Sequence, residues 1–349
     1  MEKIQLLETL SQAFGPPGFE DEVRAIIRQE VTPLVDRMEE DPIGNLTAWR
    51  DGSGDKIVML DAHTDEVGLI ISHVDERGFL RFAPLGGWDG RLFPGSRVTL
   101  KGKEGMVSAT VGFAPPHITP PEKRDKAVPV EDLFLDAGGR NRAQIADLGL
   151  MAGTPGVLEG TFRHLADTVY LSKAFDDRAG CAAAIEILSQ MQAKDLPFTL
   201  AVNFATSEEL GLRGARVAGR RIAPDVALVL EATTAGDFPG VPDHLSPCRM
   251  GQGVALTIAD RTMVTSPRML RFLQDVAQNQ KIPFQLKQPL FGGTDAGEIH
   301  LSGGGVLTGV LAVPCRYIHS PSSVMDLNDL EGMIRLALAA LEAMPNTLL

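Results

Sequence analysis

The sequence predicts an α/β protein: a mainly parallel sheet sandwiched by helices, with a small β-rich domain inserted. Short apolar runs alternate with amphipathic helical stretches through both flanks of the chain. Between residues 69 and 162 the texture changes to short strands separated by glycine- and proline-rich turns. Several apolar runs of the flanks also stop at acids or histidines. In open α/β sheets, ligands bind beyond the carboxyl ends of the strands.

The elements follow in order. Ile4, Leu6, Leu7, Leu10 and Phe14 recur at helical spacing, and Gly15-Pro16-Pro17-Gly18 stops that helix. A second helix starts near Glu20, with Val23, Ile26, Ile27 and Val31 inward. A turn at 41–45 leads into a strand at 46–49, and 56–62 is a short apolar strand. The β-rich insert contains Gly86-Gly87 and a proline-rich loop around His117, which is expected to pack or to form an interface. Its one helical stretch is 142–148.

After the insert come a strand at 168–171, a small-residue helix at 179–191 and a strand at 198–204. An apolar strand at 226–230 follows, then a strand at 252–265, a helix at 268–278 and a strand at 284–286. A glycine loop at 291–297, a buried strand at 306–313 and a final helix at 327–344 complete the chain. The expected catalytic domain is therefore discontinuous, 1–68 and 163–349, around an inserted domain at 69–162.

At 349 residues the chain can bury a large core. Acids outnumber bases 45 to 33, giving a formal charge of -12. That balance argues against nucleic acid as a partner and keeps the protein soluble. Glu2 and Glu8 interrupt the N-terminal apolar pattern, so no signal peptide is expected, and no window is apolar enough to span a membrane. Cys181, Cys248 and Cys315 are scattered and odd in number. They point to buried thiols in a reducing compartment, the cytoplasm.

Function is written where the strands end. His63 and Asp65 follow one apolar run, at a spacing that puts both on one side of an extended backbone. An Asp there can accept the second ring N–H of a metal-bound His. Asp176 and Asp177 precede a helix; one serves as its cap, leaving the other, Asp176, for other work. Glu208 and Glu209 follow the 198–204 run, and Glu231 and His319 follow two more. Alone, an adjacent Glu pair is a solvated turn, and a lone His after a strand is a structural hydrogen-bonder. Five segments ending this way describe one site. Histidines and carboxylates together form an N/O donor set suited to Zn²⁺, Co²⁺ or Mn²⁺.

Six motifs then stand in order: HTDEVG at 63–68, AFDDRAG at 174–180, SEELGLRGA at 207–215, LEATTAGD at 230–237, GGTDAG at 292–297 and RYIHSP at 316–321. Together they resemble the tetrahedral aminopeptidases, the family of bacterial glutamyl aminopeptidase, some of whose members have been misnamed endoglucanases. The resemblance runs from the first helix to the last. It implies a catalytic domain of zinc-exopeptidase type, a small domain for dimer contacts, and a pair of divalent metals. It implies that Asp176 bridges the ions, with His63 and Glu231 completing one site and Glu209 and His319 the other. Many relatives carry Asp where this chain has Glu231. Glu208 takes the role of general base, and Asp65 that of orienting His63. Thr294, Asp295 and Tyr317 are further candidates for substrate contact.

The implied substrates are short peptides with a free N-terminus, and the implied assembly is a homododecamer built from dimers. An N-acyl-amino-acid deacylase or carboxypeptidase-like amidohydrolase is the enzymatic alternative, and a silent peptide-binding shell the non-enzymatic one. A glucanase fits poorly, because its two acids must flank a glycosidic bond. No local Lys or Arg singles itself out as a reader of the substrate side chain.

Overall fold

The computed structural model describes residues 3–124, 126–288 and 291–349; Glu2 of the N-terminal pattern lies outside them. An eleven-stranded sheet forms the body. Its centre is four parallel strands in the order Thr199–Ala205, Ile57–His63, Val226–Thr234 and Leu307–Arg316. They are apolar and nearly continuously buried, as strands covered on both faces must be. The edges are antiparallel. Arg37–Glu40 and Leu46–Arg50 form one, and Ser323–Asp326, Val169–Ser172 and Arg163–Ala166 the other. Val254–Thr257 and Phe284–Lys287 branch from the Leu307–Arg316 strand.

Alternation along the strands divides the core in two. Val58, Leu60, Val202, Leu228 and Leu230 pack under helices Phe175–Met191, Pro267–Asn279, Leu327–Ala343 and the two N-terminal helices, Lys3–Gln12 and Asp21–Val31. Met59, Ala201, Ala227, Val229 and Val310 face helices Arg213–Ile222 and Ala296–Ile299. The expected helices all form, within a residue or two at most ends.

Two strands run further than their apolar composition suggests. The Val226 strand does not stop before Glu231 but continues to Thr234, because its neighbour pairs with it as far as Thr234 opposite Cys315. That neighbour passes through Pro314, which lies opposite Thr233. On its other edge Pro314 falls between the stretch paired with Val254–Thr257 and the stretch paired with Ser323–Asp326, where no N–H is required. The strand expected at 252–265 is shorter, Val254–Thr257. After Thr257 the chain turns over Asp260, whose carboxylate accepts N–H groups of Thr262 and Met263.

The inserted segment closes into a six-stranded barrel: Gly68–Val74, Phe79–Leu85, Phe134–Asp136, Gly105–Gly112, Arg97–Gly102 and Pro155–Leu158. It has its own core, including Leu69, Ile71, Leu80, Val98, Leu100 and Leu135. His117 is exposed on a barrel loop. All three cysteines are buried and free. No described helix is long and apolar enough to cross a membrane.

Candidate metal centre

His63 is the last residue of its strand and shares a face with Met59 and Asp61. Glu231, on the adjacent strand, shares its face with Ala227 and Val229. The two side chains therefore leave the same side of the sheet, 3.5 Å apart from His63 Nε2 to Glu231 Oε1. Helix Phe175–Met191 opens with Asp176 and Asp177 in non-helical conformations. Asp177 spends its carboxylate on backbone, accepting the N–H of Gly180 in its own helix at 2.9 Å and of His63 on the strand at 3.2 Å. Asp176 is left facing the histidines.

The result is two donor groups with a common member. His63, Asp176 and Glu231 form one, and Asp176, Glu209 and His319 the other; within each, the donor atoms lie within 4.8 Å of one another. Asp176 Oδ1 is 3.0 Å from His63 Nε2, and its Oδ2 is 3.2 Å from His319 Nε2. Glu209 Oε1 is 3.1 Å from His319 Nε2. Glu208 belongs to neither group; its Oε2 lies 4.0 Å from His63 Nε2.

The electrostatics fit a cation pair. Burial pushes the Glu208 carboxyl well above its ordinary value, and the charges of Glu231 and Glu209 add to this. Burial likewise raises Glu231 to about 7, with His63 opposing. For His319 burial acts downward, but Asp176 and Glu209 outweigh it and lift the ring to about 11. Two imidazoles thus serve four carboxylates in a nearly dry place. Two divalent ions would supply the missing positive charge, and the donors are of the type that Zn²⁺, Co²⁺ or Mn²⁺ accept.

Distant segments hold the acidic loop. Asn45 Oδ1 accepts the Thr206 N–H at 3.0 Å, and the buried Glu20 carboxylate accepts the Ser207 N–H at 3.0 Å. Ser207 has φ 54, a left-handed conformation that costs a non-glycine residue roughly 1–2 kcal/mol, so those two anchors have work to do. Asp65 then takes the Glu208 N–H at 2.9 Å and the Glu209 N–H at 3.0 Å. Its Oδ1 is 3.4 Å from His63 Nδ1, longer than a good hydrogen bond. Asp65 grips the loop more firmly than it grips the ring. Asp65→Asn replaces one acceptor oxygen by a donor opposite an N–H. We expect about 10–100-fold loss of metal affinity or kcat/KM with the fold intact, checked by metal titration, steady-state kinetics and circular dichroism.

The barrel segment also reaches the site. His319 Nδ1 lies 2.6 Å from the Gly87 carbonyl oxygen, a contact suited to an Nδ1–H donor that leaves Nε2 for a metal. Gly86 has φ 88, and a Cβ there would meet the Glu209 side chain at 3.3 Å. The glycine pair thus allows close approach, where its sequence suggested only a turn.

A cavity of about 660 Å³ opens beside the centre, lined in part by His63, Asp176, Glu208, Glu209, Glu231 and His319. Thr294 joins the wall, its hydroxyl donating to Asp260 at 3.3 Å. Asp295 is fully buried and does not line the cavity. Tyr317 is 48% exposed, packs on Phe238 with ring centroids 5.3 Å apart, and is not among the lining residues either. Lys287 lines the cavity, and nothing in its sequence neighbourhood marked it.

Residues 44–336 match the M42 glutamyl aminopeptidase family. The chain belongs to that family. Membership makes it a peptide hydrolase of the aminopeptidase kind. A crystallised TET aminopeptidase from a marine-sediment Thaumarchaeota archaeon is 37% identical, with a TM-score of 0.94 and 98% of each chain covered. The Pyrococcus horikoshii TET1 peptidase, which can assemble into a tetrahedron or a large octahedral shell, is 29% identical. Its TM-score is 0.88, over 97% of this chain and 98% of that one. The lysyl aminopeptidase of Pyrococcus furiosus is 29% identical over 97% of this chain and 96% of its own length. M42 relatives thus carry glutamyl and lysyl names on one frame.

Proposed function

We propose that this M42 aminopeptidase is dinuclear and removes N-terminal residues from short peptides, with Glu208 as general base. The observation that carries the reading is the pair of donor groups sharing Asp176, with Glu208 beside them but in neither. His63, Asp176 and Glu231 would hold one ion, and Asp176, Glu209 and His319 the other. Zn²⁺ is the first choice, with Co²⁺ or Mn²⁺ as alternatives. When bound, such a pair polarises the scissile carbonyl and makes a water more acidic.

The chain's own residues do the rest. Glu208 accepts the proton of the attacking water and delivers it to the leaving amine nitrogen. Asp65 keeps Glu208 and Glu209 in place through their backbone N–H groups. A carboxylate or an open metal position at this end of the cavity would receive the substrate's α-amine. Thr294 offers a wall contact to the bound peptide.

We further propose a catalytic domain of 1–68 and 163–349 and an inserted domain, 69–162, that forms contacts between copies. Phe113 and Ile118, exposed on the barrel, are suited to that role. The dodecamer of a 28% identical structural relative supports a homododecamer, which we propose is built from dimers. The three free, buried thiols suit the cytoplasm.

The test is a panel of short peptides, each with a free and an acetylated N-terminus, before and after chelation and add-back of Zn²⁺ or Co²⁺. We expect release of N-terminal residues from the free-amine set only, lost on chelation and restored by metal. Cleavage of the acetylated set alone would establish a deacylase instead.

A further inference from the structure

We infer that Lys287 receives a carboxylate of the bound substrate and thereby selects acidic peptides. The inference rests on the aminopeptidase reading above and names what that site prefers. Lys287 ends the strand Phe284–Lys287, whose register sets it opposite Thr257. It lines the same cavity as the metal centre. It is only 6% exposed, yet its ammonium makes no hydrogen bond or ion pair among the described residues. Apart from the two histidines it is the one basic side chain among the described lining residues.

A lysine can bury its stem while its head reaches water, and here the stem is covered while the residue lines the cavity, so the unpaired ammonium is available to an anion bound there. Here the acids of the cavity, Asp176, Glu208, Glu209 and Glu231, are gathered at the metal centre, and none of them pairs with Lys287. The cavity thus has a metal-centre end that would take the α-amine and a separate cation that suits an anion. A peptide offers the matching carboxylate in two ways: the side chain of an N-terminal Glu or Asp, or the α-carboxylate of a very short chain. Family membership does not choose, because relatives carry both glutamyl and lysyl names.

The experiment compares the wild type with Lys287→Met, Lys287→Arg and Lys287→Glu. Substrates are the Glu, Asp, Leu and Lys p-nitroanilides, and Leu-Ala with a free or an amidated C-terminus. We expect Glu or Asp to be preferred over Leu. Lys287→Met should lower the Glu-to-Leu ratio of kcat/KM by about 10–100-fold, the range for a lost charge-assisted hydrogen bond. Lys287→Arg should restore part of it, and Lys287→Glu should move preference towards Lys.

If the effect appears only with the free C-terminus of Leu-Ala, the α-carboxylate is the source: the contact stands and the selection of acidic side chains is overturned. Equal changes on every substrate overturn the inference. Calorimetric titration with glutamate and leucine, with and without metal, gives a readout apart from turnover. Glutamate binding weakened by Lys287→Met in a protein that cleaves no free-amine substrate overturns the aminopeptidase reading but keeps the contact. Glutamate binding indifferent to the substitution, with selectivity unchanged, overturns the contact alone.

Discussion

Glu208→Gln is expected to lower kcat by about 10²–10⁴-fold, the usual contribution of a positioned general base, while both metals stay bound. The amide matches the carboxylate in shape and removes only its ability to take a proton. Glu208 stands outside both donor groups, so coordination does not depend on it. Its backbone N–H to Asp65 is unaffected by the change. Elemental analysis of the purified variant reads the metal content, and steady-state kinetics read the loss. Near-normal turnover would remove Glu208 from the general-base role. Loss of metal along with activity would move it into the ligand set.

Asp176→Ala should have the other large effect, and of a different kind. Asp176 is the one residue common to both donor groups, with one oxygen 3.0 Å from His63 and the other 3.2 Å from His319. In the proposed centre its removal would take a negative ligand from both ions at once, whereas His319→Ala would remove a ligand from one. Activity should fall at least as far as in the Glu208 variant, and metal content should drop towards zero rather than by half. The fold should hold, because the helix entry is capped by Asp177, not Asp176. Thermal unfolding and circular dichroism check the fold. Full retention of both metals would show that the carboxylate does not bridge.

Much of the site was legible in the sequence because its parts sit at the ends of apolar runs. His63, Asp176, the Glu208-Glu209 pair, Glu231 and His319 could each be marked by that rule, and the six motifs in order supplied their joint meaning. Helices were legible from the 3.6-residue period, and the insert from its turn chemistry. Strand ends were less so. The Val226 strand continues past Glu231 because a partner 81 positions away continues beside it, as the register of Glu231 with Ala312 shows. Apolar composition carries no record of that partner.

The sequence by itself determined the fold class, the family and the residue types gathered at the centre, since these depend on local period and on motif order. Only the tertiary structure decided how the gathered groups are aimed. The Gly87 carbonyl beside His319, the hold of Glu20 and Asn45 on the Glu208 loop, and the placement of Lys287 in the cavity wall all join segments remote in sequence. The same holds for what left the cavity, Tyr317 turning out to pack on Phe238. The physical reason is that side chains at strand ends and irregular loops take their direction from backbone torsions. Long-range hydrogen bonds and packing set those torsions, and neither is encoded in the neighbouring residues alone.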